Sequence, residues 1–293
     1  MTAMHGKVCV VTGATNGIGK VTALELAKLG ATVVVVGRSA DKTAAVVEEL
    51  KAASSGDVRS ALADLSVQAQ VRALAETLLR DYDRIDVLVN NAGGFFNKRV
   101  ETEDGIELTF ALNHLSYFLL TMLLVDRLRA SAPARVVNVS SDAHRTGRIN
   151  FDDLEGRKRY VGFGAYAQSK LANILFSNAL ARRLEGTGVT SNALHPGAVA
   201  TGFGRNNGGL LGGMFALLAP FMLTPEKGAR SSIYLASSPE VEGVTGRYYG
   251  SNCKPSTPSA IALDIDTQER LWSISMAMTG LAETQPETTG TES

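Results

Sequence analysis

Apolar runs rich in β-branched residues recur along the chain at Val8–Thr12, Thr32–Val36, Val58–Ala61, Val87–Asn90, Arg135–Ser140, Thr190–Leu194 and Gly246–Tyr249. Between them lie stretches with the spacing of an amphipathic helix, the first carrying Val21, Leu24, Leu26, Ala27 and Leu29 over Gly19–Leu29. Strands that are apolar throughout, each followed by a helix, imply a parallel sheet covered on both faces. The pattern therefore predicts an α/β protein with a doubly wound sheet. Ligands of such sheets bind beyond the carboxyl ends of the strands, near the point where strand order reverses.

The first strand runs directly into Gly13-Ala14-Thr15-Asn16-Gly17-Ile18-Gly19. Strand, glycine loop and helix in this order suit a dinucleotide. Gly13 allows the sharp turn, Gly17 lets backbone approach a pyrophosphate, and Gly19 lets the helix pack closely. The helix then directs free N–H groups and its positive dipole end at the phosphates. The second strand ends in Val36-Gly37-Arg38-Ser39. An NAD site usually presents a carboxylate there for the ribose 2′-hydroxyl, whereas a guanidinium forms a fork with a 2′-phosphate. Arg38, with Ser39 adding a hydrogen bond and Lys20 as a lesser second cation, selects NADP(H) on this reading; a surface arginine in a turn is the plainer one.

Tyr166 and Lys170 stand four apart on a predicted helix and so share a face. An ammonium beside a phenol favours phenolate, and an opposite charge at about 4–6 Å lowers a pKa by roughly 1–3 units. The expectation is a tyrosine brought from about 10 towards neutrality, able to exchange a proton with a carbonyl oxygen.

The 293 residues are 45% hydrophobic, enough for a large core, and the length fits one large α/β domain. Lys plus Arg and Asp plus Glu number 29 each, which leaves no electrostatic footprint for nucleic acid. Cys9 and Cys253 are too few for a disulfide framework and fit a reducing compartment. The first strand starts within ten residues of Met1, leaving no room for a signal peptide or anchor before it, so the expected location is cytoplasmic. His114 and His195 have no further ligands at metal-site spacing, and no metal is expected. Residues 283–293 are polar and Thr-rich, and are expected to form a disordered tail after a catalytic domain spanning 1–282.

Thr12-Gly13-Ala14-Thr15-Asn16-Gly17-Ile18-Gly19, Asn90-Asn91-Ala92-Gly93, Asn113, Val139-Ser140-Ser141, Tyr166…Lys170 and His195-Pro196-Gly197 resemble the ordered motif set of the short-chain dehydrogenase/reductases. Gly19-Lys20, Leu112-Asn113-His114-Leu115, Ser169-Lys170-Leu171-Ala172-Asn173 and Cys253-Lys254 resemble its retinol-dehydrogenase and protochlorophyllide-reductase-like branch, over residues 6–282. The resemblance implies a seven-stranded Rossmann fold with strand order 3-2-1-4-5-6-7. It implies that Tyr166 is the general acid or base, that Lys170 assists it and holds the nicotinamide ribose, and that Ser141, with Ser140 as the adjacent alternative, polarises the carbonyl. Asn113 resembles the residue whose backbone carbonyl holds a water linked to the lysine. The further cofactor contacts implied are Asp64 and Leu65 at the adenine, Asn90, Ala92 and Gly93 near the ribose, and Pro196, Gly197, Val199 and Thr201 at the nicotinamide amide and diphosphate, beside Gly13, Thr15, Asn16, Gly17, Ile18 and Gly19. A helix cap competes for Asp64, and a simple turn for Pro196-Gly197.

The interval between Ser141 and Tyr166 is longer than is common in the family, and the inserted His144–Tyr160 is expected to form a short helix at the mouth of the site, with Glu155–Arg159 as a solvated face. The apolar, glycine-hinged segment within about 202–224 reads as a lid over a hydrophobic substrate, too short and broken to span a bilayer. With Phe95 and Phe96 it suggests a lipophilic or polycyclic carbonyl or alcohol, such as a retinal-like aldehyde or a steroid-like or polyketide ketone. The expected activity is NADP(H)-dependent hydride transfer by a monomer or homodimer. The alternatives are a carbon–carbon double-bond reductase, whose characteristic cysteines are not found here, and a non-catalytic NADP(H)-binding regulator, a class that commonly loses the Tyr or Lys.

Overall fold

The computed structural model describes residues 4–199 and 223–281. Seven strands form one parallel sheet: β1 Val8–Thr12, β2 Thr32–Gly37, β3 Val58–Leu62, β4 Val87–Asn90, β5 Ala134–Val139, β6 Val189–Leu194 and β7 Tyr248–Tyr249, in the order β3-β2-β1-β4-β5-β6-β7. The registers are parallel throughout, Val10 pairing with Val34 on one side and Leu88 on the other. This is the expected Rossmann order, with the reversal between β1 and β4.

Side-chain alternation shows why the strands are apolar at every position. Val8, Val10, Val34, Val36 and Leu88 point into one core with α3 Gln68–Asp81, α5 Ser116–Ala130 and α6 Gly162–Arg183. Cys9, Val11, Val33, Val35 and Val89 point into the other, against α1 Gly17–Lys28 and α2 Ala40–Ala53. Burial there drives the Cys9 thiol pKa upward, so it stays protonated and inert. β3, at the edge, keeps only Val58 and Ala61 buried. α4 Leu108–Phe110 leads through a π-helical turn, Ala111–Leu115, into α5. Residues 108–130 together are 23 residues long and apolar enough to cross a bilayer, but they lie mostly buried in the core. After β6 come α7 Pro225–Ser237 and α8 Ile265–Met278.

The insertion departs from expectation. Only Asp142–Thr146 is helical, as a 3-10 turn, and residues 147–161 run as turns and extended chain. Helix is pre-empted because the Asp153 carboxylate accepts from the amides of Arg157 (2.7 Å) and Lys158 (3.0 Å), and Gly156 adopts φ +61°. Gln168 of α6 ties the segment down, accepting from Asn150 N and donating to Leu154 O. The charges of Glu155 and Arg157 are spent on each other and on Glu101 at the surface. Thr201, nearly all of the proposed lid and the 283–293 tail lie outside the described residues.

Candidate active site

The carboxyl ends of β1 and β4 are strapped together. Thr12 Oγ1 donates to Val89 O (3.2 Å) and accepts from Asn91 N (2.9 Å) and Ala92 N (3.1 Å). Asn91 Nδ2 donates back to the carbonyls of Thr12 (2.8 Å) and Gly13 (3.3 Å). The loop needs its glycines: Gly13 sits at φ +63°, where a Cβ would stand 2.8 Å from Ala92 Cα, and a Cβ at Gly19 would stand 2.5 Å from Gly13 O and strike the Asn91 amide. Asn16 precedes α1 without a side-chain cap, so the first amides of the helix are left for a ligand. A Cβ at Gly228 in α7 would strike Val199 Cγ2 and lie 3.3 Å from Ile18, which places Val199 over the start of α1.

At the end of β2 no side chain fits at Gly37, where a Cβ would strike Thr43 and Thr15. The next residue, Arg38, is exposed, 3.5 Å from Asp64 Oδ2. Asp64 also accepts from Ser66 N (3.0 Å) and Ser66 Oγ (2.6 Å). Burial would raise the Asp64 carboxyl, but the Ser66 bonds outweigh it and Arg38 adds to the pull, so it lies below its usual range. Asp64 is thus a local cap as well as the partner of Arg38. Ser39 precedes α2 without capping it, Lys20 pairs with Glu49 (2.6 Å), and Leu65 is buried. A glycine cradle, open helix amides and an exposed guanidinium together fit a dinucleotide with a charged adenosine end.

The four expected catalytic residues come together. Ser169 Oγ donates to Tyr166 O (2.8 Å) and accepts from Asn113 Nδ2 (2.9 Å). Asn113 is buried and clamps Gly94, accepting from its N (2.8 Å) and donating to its O (2.9 Å). It sits in the π turn, a feature that recurs at functional sites. A Cβ on Gly93 would lie 3.2 Å from Asn113 Oδ1 and 3.4 Å from Lys170 Nζ. Lys170 is 3% exposed; its Nζ donates to Val139 O (3.1 Å) and stands 5.8 Å from the Tyr166 ring centroid. The two serines separate as the strand alternation dictates: Ser140 Oγ is buried and bonded to Lys170 O (2.6 Å), while the Ser141 hydroxyl accepts from Ala143 N (3.2 Å) and lies beside the Tyr166 phenol, favouring its charged form.

The acid–base balance differs from the sequence expectation. Burial lifts Tyr166 to about 12, only partly offset by Ser141, and burial lowers Lys170 to about 7. The lysine therefore does not bring the tyrosine to neutrality in the protein alone; two groups desolvated together each favour the neutral form. Phe95 is buried with its ring edge-on to Tyr166 (centroids 5.9 Å, 83°), forming a wall of the site. Asn90 is 1% exposed and donates to Thr121 Oγ1 (2.9 Å) and Asn138 Oδ1 (3.0 Å), so its side chain serves the core. Asn91 and Thr12 shape the cradle, a role that their place in the quoted motifs does not assign; the signal for it is a polar pair at adjacent strand ends. Gly197 has φ +81°, with Leu223 packed where a side chain would go, and Pro196 precedes it. His114 is buried, 2.9 Å from Ser275 Oγ, and burial lowers its pKa to about 4. Among the described residues no three His, Cys, Asp or Glu side chains gather as a metal site.

The fold and this Asn, Ser, Tyr and Lys constellation define a nicotinamide-dependent oxidoreductase, and comparison with known proteins agrees. The short chain dehydrogenase family model matches residues 7–208. The chain belongs to the short-chain dehydrogenase/reductase family and, within it, to the retinol dehydrogenase branch, whose members act on CH–OH and C=O groups. It is 45% identical to human retinol dehydrogenase 14, over 95% of this chain and 88% of that one. An uncharacterized protein of Mycobacterium paratuberculosis superposes with TM-score 0.77 at 35% identity, covering 94% of each chain. Pseudomonas aeruginosa RhlG, solved as an active-site complex with NADP, superposes with TM-score 0.69 at 30% identity, over 85% of this chain and 96% of that one.

Proposed function

We propose that this oxidoreductase uses NADP(H) and acts on the carbonyl or alcohol carbon of a lipophilic or polycyclic substrate, with Tyr166 as general acid or base. The observation that carries the reading is the Tyr166 phenol beside the Ser141 hydroxyl, with the Lys170 amine buried one turn further along the same helix face. The dinucleotide, when bound, supplies or accepts the hydride. Gly13, Gly17 and Gly19 with the first amides of α1 would hold its diphosphate, Gly93 and Lys170 its nicotinamide ribose, and Arg38 with Ser39 a 2′-phosphate.

Ser141 orients the substrate oxygen and donates to it where negative charge develops. Tyr166 delivers the proton to that oxygen in reduction and removes it in oxidation. A phenol near 12 is well protonated at neutral pH, which suits an acid; Lys170, near 7, can return a proton to it. The Asn113 backbone carbonyl, in the π turn, would hold water that links Lys170 to solvent. The Phe95 wall supports an apolar substrate, as do the retinol dehydrogenase relatives. A reducing, cytoplasmic compartment belongs to the same reading and is supported by the two unpaired cysteines.

The test is NADPH oxidation by wild type and Tyr166→Phe with retinal-like aldehydes, steroid ketones and quinones. Turnover lost in the variant with NADPH binding retained is the expected result. Equal turnover in the two proteins would refute the role of Tyr166.

A further inference from the structure

Ser141 is held from behind by a histidine. His144, fully buried in the 3-10 turn that Ser141 opens, places its Nδ1 2.7 Å from Ser141 O, and its backbone N donates to the same carbonyl (3.1 Å). On the far side of the ring, the Ser259 amide donates to Nε2 (3.2 Å). An amide N–H can only donate, so Nε2 must carry a lone pair and the neutral ring must bear its proton on Nδ1. Nδ1–H then donates to the Ser141 carbonyl, and Tyr248 OH, 3.4 Å from the same nitrogen, is a secondary acceptor at best. The Tyr248 ring meets His144 edge-on (5.0 Å) and stacks on His195 (5.7 Å).

We propose that His144 is a positioning residue for Ser141: fixed as the Nδ1–H tautomer by the Ser259 amide, it anchors the Ser141 peptide so that the serine hydroxyl faces Tyr166. The inference rests on the role given to Ser141 above. The segment around Ser259, remote in sequence from every motif of the site, thereby sets the geometry of its hydrogen-bond donor. Arg145 reinforces this seat by donating to Thr257 O (3.0 Å) and Asp142 Oδ1 (3.2 Å).

Protonation at Nε2 would oppose two N–H groups and break the link to Ser259. The groups facing the ring are Asp142, Arg145, His195 and Tyr248. Burial lowers the His144 pKa, Arg145 and His195 act in the same direction, and the Ser141 carbonyl and Asp142 oppose them. His195 lies 3.2 Å from Asp142 Oδ2, so that carboxylate is shared between His195 and Arg145. The anchor is accordingly intact at neutral pH and fails on the acid side.

Two measurements test this. Long-range proton–nitrogen correlation on the histidine-labelled protein at neutral pH reads the tautomer directly, with His144→Asn assigning the signal. Nδ1–H is expected; an Nε2–H or doubly protonated ring overturns the proposal whether or not a substrate is in hand. In NADPH-dependent turnover, His144→Gln and His144→Phe, which lose the donor to Ser141 O, are expected to lower kcat by about tenfold or more with NADPH binding unchanged. His144→Asn, whose amide reaches the Nδ1 position, should recover most of kcat and lose the acid limb of the wild-type profile. Wild-type kcat in His144→Gln and His144→Phe, alongside loss of turnover in Ser141→Ala, would overturn this proposal alone; full turnover in Ser141→Ala would overturn the reading of Ser141, and this proposal with it.

Discussion

Lys170 gives the sharpest test of the electrostatics, because its charge is held in a place that does not favour it. Replacing it with Met keeps most of the buried stem and removes the ammonium. Burial brings the lysine from 10.5 to about 7, a span of about three and a half pH units. At about 1.4 kcal/mol per unit, holding the proton costs the folded state roughly 5 kcal/mol below neutrality. The sign follows from proton counting. The unfolded chain keeps this proton up to about pH 10.5, the folded chain releases it above about 7, and between those values the unfolded state binds more protons, so stability rises with pH. The loss of the bond to Val139 O in the variant is a pH-independent offset. Urea unfolding of both proteins near pH 6 and near pH 9 isolates the rest: wild type should gain on the order of 2–3 kcal/mol relative to Lys170→Met across that interval. Parallel stability profiles would refute the argument, since they would mean that the folded lysine keeps its solution pKa.

Arg38→Asp should weaken NADPH binding by about tenfold to a hundredfold, the worth of a charge-assisted bond, and leave NADH nearly untouched; equal losses in titrations with the two cofactors would remove Arg38 from the 2′-phosphate. Asp86 is 2% exposed and accepts from Val8 N (2.9 Å), Lys7 and Arg84, interactions that outweigh burial and keep its carboxyl below the usual range. Asp86→Ala should cost about 1–3 kcal/mol in neutral urea melts, chiefly because the buried Val8 amide loses its acceptor. Because the folded pKa is depressed, that stability is present above the ordinary carboxylate range and disappears as pH falls through the folded value, so the melts of variant and wild type should converge in acid.

Sequence legibility followed the number of faces a residue must bury. β1 and β2 were readable because Val10, Val11, Val34 and Val35 are all buried, leaving no polar position to confuse the period. β7 shrank to Tyr248–Tyr249 from a longer expected run, since a two-residue strand has too little pattern to bound. Tyr166 and Lys170 were found because helical spacing alone puts them on one face. The direction of their pKa values was not, because it depends on the burial of both, and burial at a site assembled from four elements is not a local property. The insertion failed as a helix for a local reason: an Asp and a Gly at the right offsets offered its amides another partner. Asn90 and Asn91 were indistinguishable as letters, and only strand alternation turned one into the core and the other towards the glycine loop.

The strap between β1 and β4 bears on how the cofactor is bound, not only where. The bonds beside the Gly13 turn, to Thr12 Oγ1 from Asn91 N and Ala92 N and from Asn91 Nδ2 to the Thr12 and Gly13 carbonyls, tie it to the end of β4. The phosphate cradle is therefore preorganised: its conformational entropy is surrendered during folding, and association with the dinucleotide carries little further ordering cost at this loop. Loosening the strap would act mainly as an entropic penalty on affinity while leaving every group that touches the ligand in the sequence.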